Sequence, residues 1–230
     1  MKPILFNTEM VRAILEGRKT ATRRIIKDKD IVNSFDCEAD GTPIAYIDQA
    51  TGDSYLPTMP CPYQPGDTLW VRETFRVDYL SNIPGNGRVQ YKDGTYMDIQ
   101  FAPERYDMMR RAQRKPGWRP NENMPREAAR LFLRVTDVRV ERLQDITDYR
   151  AEGIQPSEAC EACFAVCGGC MPPNSPVGCD NEIETFADLW DRTIKPADLP
   201  LYGWAANPWV WVIEFERISK DEALGGGGDD

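Results

Sequence analysis

Eighteen prolines and seventeen glycines break this 230-residue chain into short pieces. Proline removes a backbone donor and glycine admits positive φ, so a chain punctuated this often is rich in turns and does not run as a mostly helical bundle. Between the breaks stand a few extended runs of alternating apolar residues: 68–75 (TLWVRETF), 131–143 (LFLRVTDVRVERL) and 209–218 (WVWVIEFERI). Each predicts a strand. The period of the second slips near Thr136-Asp137, which predicts a bulge or sharp bend. The third places Trp209, Trp211, Ile213 and Phe215 on one side.

Helical signals are fewer. Asn7-Thr8 offer cap side chains ahead of the stripe Met10, Val11, Ile14 and Leu15, and Gly17 ends that helix. The segment Arg18-Lys19-Thr20-Ala21-Thr22-Arg23-Arg24 leaves it extended, with Lys19, Ala21 and Arg23 facing one way and Thr20, Thr22 and Arg24 the other. Asp145-Ile146-Thr147 predict a short helix reaching Glu152-Gly153, and Ile183–Ile194 predicts another with Ile183, Phe186, Leu189 and Trp190 on one face. Residues 76–128 read as a long loop insertion, 155–182 as a cysteine-rich insertion, and 219–230, ending in GGGGDD, as a flexible tail. With 41% hydrophobic residues the chain can bury a core. The expected architecture is α+β: one domain over 1–218, a small β-barrel with flanking helices and two insertions.

The chain contains no histidine, which removes serine–histidine triads, cysteine–histidine pairs and histidine metal sites from consideration. Acid–base chemistry falls to Lys, Glu, Asp, Tyr and Cys. The net charge of −9 is unevenly spread: residues 1–30 and 104–130 each hold eight Lys/Arg against four acids, whereas 131–230 hold eight against nineteen. Two basic stretches on an acidic body suit a nucleotide-sized ligand or a short single strand better than duplex DNA. The same stretches also fit simple solvated faces. No run is long and apolar enough for a membrane span, and MKPILFNTEM is a poor secretory leader, so the expectation is a cytoplasmic protein.

Four motifs occur in order. Gly17-Arg18-Lys19 precedes Arg23-Arg24, Pro65-Gly66-Asp67 leads into Leu69-Trp70-Val71-Arg72-Glu73, Ile146-Thr147 leads into Ala151-Glu152-Gly153, and Val212-Ile213-Glu214-Phe215 closes the set. This order resembles the ASCH domain family of the PUA-like barrel superfamily. Trp118-Arg119-Pro120, Met124-Pro125-Arg126 and Asn207-Pro208-Trp209 make the layout look like versions encoded by bacteriophages and prophages. The resemblance implies a small barrel whose cleft takes RNA or a modified nucleobase or nucleoside. A bacterial branch of the family deacetylates 4-acetylcytidine. At its motif spacing this chain has Lys19, Thr22 and Arg24, with Glu152 as the matching carboxylate after a short gap.

In the enzymatic alternative Lys19 takes a proton from Thr22, Glu152 protonates the leaving amine or orients water, and Arg24 holds the developing negative charge. Cleavage of single-stranded RNA by the same cluster is a variant of it. In the binding alternative Lys19 and Arg24 hold a phosphate and Thr22 is an ordinary strand residue, with Arg23 as a further ligand-binding candidate. Arg72-Glu73 reads either as a second polar pair in the cleft or as a cross-strand surface pair. Trp118, flanked by Lys115, Arg119 and Arg126, is the leading base-stacking candidate, whereas Trp209 and Trp211 read as core.

Five of seven cysteines fall within twenty residues: Cys160, Cys163, Cys167, Cys170 and Cys179. Two C-x-x-C pairs predict a structural zinc held by four of the five, with redox-active thiols or an iron–sulfur cluster as alternatives. Such a staple would stabilise an insertion too short for its own core, and it leaves a third functional class open, a phage protein that contacts a protein partner.

Overall fold

Strand and helix form where the apolar periodicity demands them. A computed structural model of the chain describes residues 1–26, 35–37, 43–47, 54–55, 61–83, 85–113, 117–154 and 180–225. In chain order the elements are β1 (Lys2–Leu5), α1 (Thr8–Leu15), β2 (Ala21–Ile25), β3 (Phe35–Cys37), β4 (Pro43–Ile47), β5 (Ser54–Tyr55), β6 (Thr68–Arg72), β7 (Phe75–Leu80), β8 (Asn86–Tyr91), β9 (Tyr96–Gln100), α2 (Pro103–Gln113), β10 (Phe132–Arg142), α3 (Asp180–Thr193), α4 (Leu199–Tyr202), β11 (Trp209–Ile218) and α5 (Lys220–Ala223). The molecule is α+β, with a five-stranded sheet in the order β1-β6-β10-β11-β2 and two three-stranded sheets, β3-β4-β5 and β7-β8-β9. Among the described residues the five-stranded sheet is open, with β1 and β2 as its edges, and no closed barrel forms.

The chain divides into two compact units, each assembled from separate stretches of sequence. The first comprises Met1–Gly17, Gly66–Val135 and Glu216–Asp230, and the second Arg18–Pro65 and Thr136–Phe215. β10 spans Phe132–Arg142, and the division between the two units falls within it, between Val135 and Thr136.

In the first unit β1 lies parallel to β6, and β10 starts antiparallel to it through Phe132↔Trp70 and Leu133↔Leu69. Asn7 caps α1 as expected, its side chain accepting from the Met10 amide at 2.9 Å. The expected loop insertion over 76–128 is instead an antiparallel meander, β7-β8-β9, followed by α2. Alternation along these strands buries Phe75, Val89, Tyr91 and Ile99 against Phe101, Tyr106, Met109 and Met124. The segment thus has its own core, hidden from a sequence reading because its strands carry few β-branched residues and many polar ones. The expected tail also starts too early. Ser219 and Glu222 form a capping box for α5, and Ala223 is buried beside Trp70 and Phe132.

In the second unit β11 pairs antiparallel with β2 through Trp211↔Arg24, Val212↔Arg23 and Ile213↔Thr22. Val210 and Val212 pack with Leu143, Ile146, Tyr149 and Ile154 and with Phe186 and Trp190 of α3. Leu189, expected on that buried face, is 45% exposed, because only the Phe186–Trp190 edge of α3 meets the core. No helix forms between Asp145 and Gly153. A 3-10 turn over Leu143–Asp145 gives way to a tight turn over 149–153. Among the described residues no helix is long and apolar enough to cross a membrane.

Candidate functional site

Gly17, at φ +75°, turns the chain out of α1 and sets Arg18-Lys19-Thr20 on the path into β2. The turn carrying Glu152 is docked on that path by main-chain bonds. Lys19 and Glu152 form an isolated antiparallel bridge, and the amides of Thr20 and Ala21 both donate to the Ala151 carbonyl at 2.9 Å. Arg18 donates from its guanidinium to the Gly153 carbonyl at 2.8 Å. Gly153 sits at φ +87°, a conformation open to glycine without strain, and its amide closes the turn on the Arg150 carbonyl. The Ala151-Glu152-Gly153 motif is therefore a backbone device that aims one carboxylate.

That carboxylate is met by two cations. Lys19 Nζ donates to Glu152 Oε2 at 2.6 Å and to the Glu152 carbonyl at 3.1 Å. Arg23, two pairs along the same strand face, donates to Glu152 Oε1 at 2.7 Å and to Glu141 Oε2 at 3.2 Å. Arg139 continues the chain, binding Glu141, Asp137 and Glu214. The Lys19 side chain is wholly buried and those of Arg23 and Glu152 nearly so, while Arg139 and its acids reach solvent. Burial pushes the Lys19 ammonium below its ordinary range; Glu152 opposes this, and Arg24 and Arg23 add to it. Arg23 Nε is buried with no hydrogen-bond partner. The cluster is an amine with a weakened hold on its proton, hydrogen-bonded to a carboxylate.

Strand alternation divides the remaining expected residues. Lys19 and Arg23 share a face, as the sequence predicts. Thr22 and Arg24 belong to the other, in register with Ile213 and Trp211. Thr22 is buried, and the hydrogen bonds of Lys19 Nζ go to Glu152 rather than to it. Burial lowers the proton affinity of Arg24, with Tyr63 and Glu152 opposing, and burial raises that of Tyr63. The Lys19–Thr22–Glu152 trio is thus a pair plus a threonine across the strand.

The other expected ligand residues belong to the first unit. Arg72 and Glu73 do not pair with one another, because each has a different partner. The Arg72 guanidinium lies over the Trp70 ring at 4.9 Å, with its Nε buried and unpartnered. Glu73 is buried, not on the surface, and is held by two bonds from Arg130 at 2.7 and 2.8 Å. Arg130 also reaches Asp93 at 2.8 Å and lies over the Tyr91 ring at 4.0 Å. Burial raises the Glu73 carboxyl despite the Arg130 bonds. Trp118 is 39% exposed, and among the described residues the cations on its ring are Arg76 at 5.3 Å and Lys92 at 4.3 Å rather than Arg119 or Arg126. Arg119 pairs through its backbone with Phe75, and Arg126 is exposed on a 3-10 turn. Lys115 lies outside the described residues, as do Cys160, Cys163, Cys167, Cys170 and Cys179. Among the described residues no three or more acids and cysteines are grouped to hold a metal ion.

Sequence reasoning missed Arg139, Glu141, Arg130 and Asp93. The first two carried a signal, an Arg and a Glu at i, i+2 on one strand face beside an equally spaced Asp137. Arg130 and Asp93 carried none, since nothing local links residues so far apart. No family model matches the chain, and neither a curated protein nor a solved structure matches it.

Proposed function

We propose that this chain is an ASCH-type protein of the PUA-like class, and that the Lys19–Arg23–Glu152 cluster recognises a modified nucleobase or nucleoside, free or within RNA. The observation that supports this most is the Glu152 carboxylate gripped by Lys19 at 2.6 Å and by Arg23 at 2.7 Å. A carboxylate accepts from an exocyclic amine and flanking cations donate to ring nitrogens and carbonyls, the two halves of a base edge. Titration with cytidine, 4-acetylcytidine and a short RNA, followed by calorimetry, tests it. Binding that Glu152→Gln abolishes supports the reading, and no heat with any of the three sinks it. Steep loss with salt would point to RNA, and salt indifference to a nucleoside.

A second reading, amide hydrolysis of 4-acetylcytidine, is favoured by one property of the cluster, the weakened proton affinity of Lys19 in contact with Glu152. Neutral Lys19 takes a proton from the nucleophile, and Glu152 relays one to the departing amine. Thr22 lies across the strand, so water is the simpler nucleophile. Chromatography for cytidine after incubation with 4-acetylcytidine, with Lys19→Ala alongside, separates catalysis from binding. The zinc reading rests on the C-x-x-C spacing alone. Elemental analysis of purified protein, with about one zinc per chain expected, tests it.

A further inference from the structure

The β7-β8-β9 meander buries one face and leaves the other to water. Register places Arg76, Gln90 and Tyr96 in one outward row and Tyr79, Arg88 and Asp98 in the next. Tyr79 is 55% exposed and Tyr96 52%. By strand spacing the two rings stand roughly 12 Å apart on the diagonal. Trp118 adds a third exposed ring beside Arg76 and Lys92.

The charges on this face differ in kind. Arg88 is neutralised by Asp98 at 2.6 Å. Arg76 and Lys92 instead lie against the indole, with no ion pair to a carboxylate among the described residues. Asp78, exposed on β7, acts on Arg88 as well, whereas the cations at Trp118 lie against the exposed ring itself.

We propose that this sheet face binds a single-stranded polynucleotide, with a base stacked on Trp118, further bases on the tyrosines, and phosphates met by Arg76 and Lys92. An exposed cation–π contact is worth about 0.5–1 kcal/mol and a base stacked on an aromatic ring about 1–3 kcal/mol. A stacked base thus competes on at least equal terms with each cation for the indole, and a cation that it displaces is free for the backbone. A protein partner is disfavoured because the rings are interleaved with charge and Gln90 and form no continuous apolar centre. The surface lies wholly in the first unit and does not depend on the reading of the Lys19 cluster.

Fluorescence anisotropy with labelled rU12 and dT12 at low salt tests this, with Trp118→Ala and the double change Arg76→Gln/Lys92→Gln checked by circular dichroism for folding. Trp118→Ala is expected to weaken binding about 5- to 150-fold, the range of one lost stacking contact. The double change is expected to flatten the slope of log affinity against log salt by about 1.4, for two phosphate contacts on a single strand. Equal affinity for both oligomers means stacking without sugar recognition, and preference for rU12 adds a 2′-hydroxyl contact. The proposal is overturned if neither oligomer binds, or if binding ignores both variants. Displacement by polyglutamate with no effect of Trp118→Ala would assign the face to an acidic peptide instead.

Discussion

Each unit holds a buried glutamate side chain against basic side chains, and the two arrangements differ in what they can do. In the first unit Glu73 is clamped in a two-bond fork by Arg130, which also ties down Asp93 and covers Tyr91. Arginine does not release its proton, so this cluster fastens the turn around Asp93 to the start of β10 and has no proton to move. In the second unit Glu152 faces a lysine, whose proton affinity burial has already weakened. The geometry is equally tight, but only the lysine can give up its proton. Two buried ion pairs of similar appearance are thus a fastener and a candidate site, distinguished by the identity of one cation.

The largest effect is expected from Glu152→Ala, which leaves both Lys19 and Arg23 buried without their carboxylate. It should cost about 3–5 kcal/mol in urea unfolding at pH 7. Arg130→Ala strands Glu73 in the same way but should cost less, about 3 kcal/mol, because a carboxyl already pushed up by burial escapes by taking a proton. A larger loss for Arg130→Ala than for Glu152→Ala would break the comparison.

The pH dependence sharpens it, because the two groups slope in opposite directions. Glu73 has a folded pKa above its ordinary value, so its contribution is present at low pH and is lost as pH rises through the folded value. Lys19 is lowered, so between its folded value and 10.5 the unfolded chain binds more protons and stability rises with pH. Each slope is at most about 1.4 kcal/mol per pH unit. Denaturation midpoints across pH should lose the acidic slope in Glu73→Gln and the alkaline slope in Lys19→Met. Persistence of either slope in its variant would mean that another group carries it.

The smallest effect is expected from Asp93→Asn, where Arg130 keeps its fork to Glu73. Asp93 is held below its usual range by Thr95 and Arg130 against the opposing effect of burial. Its loss should cost about 0.5–1 kcal/mol, read as a shift of the thermal midpoint. A shift as large as that of Arg130→Ala would make Asp93 an equal member of the clamp.

Among the described residues of the second unit, β11 up to Phe215 and the common face of Lys19 and Arg23 follow from alternation along the chain, whereas the motif around Glu152 was singled out by the family resemblance. The nearness of Lys19 to Glu152 was expected only through the family resemblance, because periodicity says nothing about residues so distant in sequence. Thr22 shows the limit from the other side. Its spacing suggested a partner for Lys19, while the pleat that joins Lys19 to Arg23 turns it away. The meander over 75–100 was misread because its strands alternate around polar residues, and its core becomes apparent only when Met109 and Met124 from later segments close on it.

By itself, then, the sequence determined the period of β6, β10 and β11, the cap of α1 and the absence of histidine chemistry, all matters of short-range sterics and composition. The tertiary structure decided which charges meet. Glu73 found Arg130 rather than its neighbour Arg72, and Trp118 found Arg76 and Lys92 rather than Arg119 and Arg126. Such pairings depend on which strands lie side by side, and that choice is made by burial of apolar faces far along the chain, not by the charged residues themselves.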